Sequence, residues 1–91
     1  GDTRRLVAEE VSRAWDDLDS AWSASGVADA GVEQAEVNLA EERDGYESGL
    51  EKFSDLLEAQ TLLNQAEERR IEARIAVVLK RSAYERAIGV E

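Results

Sequence analysis

The groups in this 91-residue chain that could do chemistry are almost all carboxylates. There are 21 Asp and Glu against 11 Lys and Arg, and neither His nor Cys occurs. Zinc binding, thiolate chemistry and acid–base or nucleophilic catalysis built on His or Cys therefore lack their ligands and reacting groups. Two carboxylate groupings stand out. Asp16, Asp17 and Asp19 lack the glycine and the closing glutamate of a calcium loop, so they read as a solvated helical face. Asp55 and Glu58 are three residues apart, which places both on one side of a helix. Read from the residues alone, this pair is negative charge placed against the positive end of a helix dipole, with Ser54 as the N-cap and both acids in the first turn. No metal or cofactor site is expected, and neither is an enzyme, because two rods supply no cleft.

The elements that must position these acids follow from spacing. The chain has no proline, and of its six glycines only Gly45 and Gly49 form a mid-chain pair with turn-like neighbours. Before that turn, Val11, Leu18, Ser25, Val32, Leu39 and Tyr46 recur every seven residues, with Val7, Ala14, Ala21, Ala28 and Ala35 four residues earlier. Two such rows make a heptad seam, and its alanines admit a close partner. After the turn, Leu56, Ala59, Leu63, Ala66, Ala73, Val77, Tyr84 and Ala87 keep the same rhythm, interrupted by Arg70 and Lys80. The expectation is an all-α chain, a long antiparallel helical hairpin of coiled-coil type spanning 1–91. Its helices run from about 3–47 and about 54–88, with a tip turn at about 48–53.

A second apolar row on the returning helix, Phe53, Leu57, Ile71, Ile75 and Val78, is broken by Gln60, Asn64 and Glu67. Two strips call for neighbours on two sides, so the seams alone suggest a bundle of three or four helices, and an isolated hairpin is expected to self-associate. Trp15 and Trp22, seven apart beside the first seam, read as packing residues. Gly26 and Gly31 mark a bend or a close crossing in the first helix. Gly89 is a natural stop for the second. The net charge of −10 argues against nucleic acid and anionic membranes as partners. No stretch has the length and apolarity of a signal peptide or a membrane span, which leaves a cytosolic protein or a piece of a longer precursor.

The run from Gly45 through Gln60, with Tyr46-Glu47-Ser48-Gly49-Leu50 followed by Asp55-Leu56-Leu57-Glu58-Ala59-Gln60, resembles the periplasmic tip of the TolC-like outer-membrane efflux proteins. The likeness extends upstream through Val32-Glu33-Gln34-Ala35-Glu36-Val37-Asn38-Leu39, and downstream through Ala66, Ala73, Tyr84, Ala87 and Ile88-Gly89. It is closer to the C-terminal of the family's two helical repeats. The resemblance implies a segment of an α-helical tunnel wall, the periplasmic portion of a homotrimeric outer-membrane protein. It also implies pore-facing roles for Asp55, Glu58 and Tyr46, the two carboxylates ringing a cation-selective constriction. Ser48, Gly49, Leu50, Glu51 and Lys52 would form the tip that contacts a periplasmic adaptor (membrane fusion) protein. From the residues alone, Gly49 is a positive-φ turn glycine and Leu50 a cover for the hairpin end. The alternative is a free-standing acidic coiled-coil interaction module. It draws on charge asymmetry: thirteen acids against four bases up to Glu47, eight against seven after it.

Overall fold

A computed structural model describes residues 2–89; Gly1, Val90 and Glu91, the ends of the expected 1–91 hairpin, lie outside the described residues. The chain is an all-α helical hairpin of α1, Asp2–Glu47, and α2, Phe53–Ala87. One copy thus supplies two helices, not the three or four of a bundle. Both are rich in Ala, Glu and Arg, which lose little side-chain freedom in a helix, and neither contains proline.

The chain divides into two compact units, each with its own core. Residues 26–71 form the unit that contains the turn. There Val32, Leu39, Ala59 and Leu63 are buried together, and Ala35, Leu56 and Ala66 pack against them. All seven belong to the heptad rows, and Val32 and Ala59 are each only 2% exposed. The other unit, residues 1–25 with 72–91, buries Leu18, Ala21 and Val77, with Ala76 and Tyr84 packed against them. Tyr84 also meets Trp15, ring centroids 5.5 Å apart and tilted by 59°, the packing role expected of that tryptophan. The second apolar row remains exposed: Phe53, Leu57, Ile71, Ile75 and Val78 each keep more than half of their surface in solvent. Gln60 and Asn64, which interrupt that row, hydrogen-bond to each other at 3.1 Å.

α1 runs unbroken through Gly26 and Gly31. A Cβ at either position would meet nothing within 4 Å, so neither glycine makes room for a close crossing. Their expected role as a crossing point is therefore corrected. With no packing reason for glycine, Gly26→Ala and Gly31→Ala should each stabilise the protein by about 1 kcal/mol, through reduced unfolded-chain entropy. Thermal melts of the two variants check this.

The start of α2 also differs from the sequence expectation. Phe53, not Ser54, is the first helical residue, so the tip turn covers 48–52. The carbonyl of Lys52 accepts the first helical bonds, from Asp55 N at 3.1 Å and Leu56 N at 3.3 Å. Lys52 is therefore the N-cap, and Ser54 lies inside the first turn. Asp55 reaches back, its Oδ2 accepting the Lys52 N–H at 3.3 Å, the carboxylate half of a capping box. Glu58 falls beyond the first turn. At the other end α2 stops at Ala87, one residue before the expected limit, and Gly89 takes φ +82° as its N–H bonds the Arg86 carbonyl at 3.1 Å.

Candidate functional site at the hairpin tip

α1 ends in a Schellman motif. Gly49, with φ +80°, donates to the Tyr46 carbonyl at 3.1 Å, and Leu50 donates to the Gly45 carbonyl at 2.8 Å. The same Gly45 oxygen accepts the Glu51 N–H at 3.0 Å and the Ser48 hydroxyl at 3.1 Å. The turn glycine expected at Gly49 is thus present, and Gly45 is helical, serving as the acceptor that closes the turn. Leu50 does not cover the hairpin end. It projects outward, 83% exposed, the most exposed large apolar residue among the described residues. Tyr46 packs across the turn against Phe53, centroids 5.6 Å apart and tilted by 54°. Ser48, Glu51 and Lys52 are exposed around Leu50.

Behind this turn a shallow groove is lined by Asn38, Glu42, Asp55, Glu58, Ala59 and Leu62. The structure brings Asp55 and Glu58 together there, Asp55 half-buried and Glu58 exposed, whereas Tyr46 does not line the groove. A third carboxylate, Glu42, was not singled out from the sequence. It continues the row Val7, Ala14, Ala21, Ala28, Ala35 by one more heptad, so extending that row would have marked it as a charge at a seam position. Its Oε2 is closed off from solvent, with no hydrogen-bond partner among the described residues. Burial pushes its carboxyl above the usual carboxylate range, and the negative charges of Glu51, Asp55, Glu41 and Glu58 add to the effect.

Comparison with protein-family models, curated proteins and solved structures returns no match. The chemistry of the site therefore rests on its own geometry. Among the described residues no group of three or more His, Cys, Asp or Glu is placed to hold a metal ion, and no helix is long and apolar enough to cross a membrane. What the arrangement can do is concentrate negative charge beside an outward-pointing apolar residue on a hydrogen-bonded turn.

The raised pKa of Glu42 sets the sign of a pH effect. A carboxyl that holds its proton more tightly in the folded than in the unfolded chain makes the folded state bind more protons over the interval between the two values. Stability contributed by Glu42 therefore grows as pH falls from neutrality through its folded pKa, and levels off below the ordinary carboxylate value. Glu42→Gln should raise the melting temperature at neutral pH and flatten its rise on mild acidification. Melts of both proteins across this pH interval check it, and an unchanged slope in the variant would place the effect elsewhere.

Proposed function

We propose that the chain is a tunnel-wall segment of a TolC-like outer-membrane efflux channel, its tip docking to a periplasmic adaptor and its acidic groove helping to line the export duct of a homotrimer. The observation that carries this reading is the tip itself. The Gly49 turn holds Leu50 out into solvent, while Asp55 and Glu58 share one groove immediately behind it. The sequence likeness is in register with both features. A row of apolar residues left in solvent on α2 suits a helix with neighbours on a second side.

In the parent trimer, three copies of Asp55 and Glu58 would surround one constriction, where scarce water strengthens their field. Replacing both by alanine in the intact channel should weaken cation selectivity and relieve block by multivalent cations. Helix content should hold nearly constant, because the interaction of Asp55 with the helix N-terminus is worth only about 0.3 to 1 kcal/mol and Glu58 lies beyond the first turn. Single-channel recording beside a thermal melt makes the distinction. A loss of stability with selectivity untouched would leave the pair a structural role only.

The alternative is an acidic coiled-coil module that recruits a basic partner, and the charge of the tip unit favours it: residues 26–71 carry twelve acids and four bases. Such a module would bind basic peptides in a strongly salt-sensitive manner. Alternating strands encoded on either side of this segment in the parent reading frame would support the channel.

A further inference from the structure

Of the α1 seam positions from Val7 to Tyr46, only Glu42 carries a carboxylate. A seam residue is turned toward the partner helix, whereas a glutamate on the outer face keeps both oxygens hydrated. In Glu42 the Oε2 atom is closed off from solvent and makes no hydrogen bond among the described residues. An ionised oxygen placed there loses its water and gains no donor, which is costly. A protonated one avoids most of that cost and becomes a donor itself.

The surroundings supply an acceptor and no cation. The groove that Glu42 shares with Asn38, Asp55 and Glu58 has no basic residue in its wall. The charges that bear on Glu42 are Glu41 from its own helix, Glu51 from the turn, and Asp55 and Glu58 from α2, all negative, and burial acts in the same sense. Arg43 on α1 and Lys52 in the turn are exposed and do not line the groove. Of the two α2 acids, Asp55 is the half-buried one. Its Oδ2 accepts the Lys52 N–H at 3.3 Å, and a carboxylate has lone pairs enough for a second donor.

We propose that Glu42 and Asp55 hold one proton between them: it resides on Glu42, whose O–H donates across the groove to the Asp55 carboxylate and ties α1 to α2 behind the turn. The proton comes from solvent and returns to it, so the clasp closes on mild acidification and opens as pH rises. The closed state uses Asp55 as the carboxylate, so its bond to the Lys52 N–H persists. Protonating Asp55 as well would remove both the acceptor and the cap of α2, which confines the device to a limited interval of acidity. The clasp belongs to the hairpin itself and is independent of the channel reading.

Carbon-13 NMR of the side-chain carboxyls in the full 91-residue chain, followed from about pH 8 to about pH 4, reads the proton directly. Glu42 should titrate at higher pH than the exposed glutamates, and the Asp55 carboxyl carbon should respond in the same step. Across that step, amide exchange in residues 38–47 and 53–62, corrected for its intrinsic pH dependence, should slow by about tenfold, the order of effect of a hydrogen bond to a charged group. Glu42→Gln, whose amide donates without taking up a proton, should exchange slowly over the whole range and show no such step at Asp55. Glu58→Gln should keep both responses. A Glu42 that titrates while Asp55 stays silent reflects burial alone and overturns the clasp. So does a Glu42 that titrates together with the exposed glutamates, or an exchange step that survives in Glu42→Gln or is lost in Glu58→Gln.

Discussion

Leu39→Ala should destabilise the protein by about 2 to 3 kcal/mol, toward the lower end of what a buried leucine costs when truncated. Leu39 is 8% exposed and belongs to the cluster of Val32, Ala59 and Leu63, the whole buried apolar core of the tip unit. Removing one of two leucines from four buried residues takes away a large share of that core. The lower end of the range applies because the half-buried Ala35, Leu56 and Ala66 around the cluster leave solvent close by, so part of the space can collapse. Leu57→Ala is the matched control: Leu57 is 51% exposed, and its truncation should cost well under half as much. Urea titrations of the two variants compare them directly, and equal losses would mean that the exposed strip is as buried in solution as the seam.

The second large effect is at the turn. Gly49→Ala should cost about 1 to 2 kcal/mol, because φ +80° brings a Cβ against the following carbonyl. Gly45→Ala should also destabilise, for a different reason. Gly45 has ordinary helical geometry, but a Cβ there would stand 3.2 Å from the Cβ of Glu51 and closer still to its Cγ, where the chain folds back over the helix end. The helix-propensity gain of about 1 kcal/mol offsets part of this strain, so the loss is smaller than at Gly49. In a Glu51→Ala background the Cγ contact is gone, and Gly45→Ala should become nearly neutral. The same substitution at Gly26 or Gly31 has the opposite sign. Four glycines in one helix and its turn therefore separate into two that the fold requires and two that it merely tolerates.

The heptad rows made the fold legible because each row position maps onto one side of a helix. Val11, Leu18, Ser25, Val32 and Leu39 are all buried or half-buried, as are Leu56, Ala59, Leu63, Ala66, Ala73, Val77, Tyr84 and Ala87. Val7 and Tyr46, at the two ends of the first rows, are 48% and 43% exposed, since a seam residue near a helix end lacks neighbours beyond it. The cap of α2 was misplaced because serine is the stronger N-cap side chain. The bond from the Lys52 N–H to the Asp55 carboxylate needs only an acid three residues on, and it places the cap two residues earlier, at Lys52. The site was half legible. Asp55 and Glu58 share a helix face by spacing alone, but their meeting with Glu42 depends on the register between antiparallel helices, which one helix's periodicity does not encode.

With its carbonyl occupied by Ser48, Leu50 and Glu51, Gly45 holds the tip out of the extended conformation that a protease cleft demands. Lys52 is the one tryptic target in residues 48–52, and its N–H is tied to Asp55. Cleavage there must wait for the turn to open. At low protease its rate then reports the opening free energy of this segment rather than the exposure of Lys52. An apolar side chain standing almost wholly in water on a turn closed to digestion gives the protein an outward contact point that resists nicking, a combination that an unstructured loop of the same composition would lack.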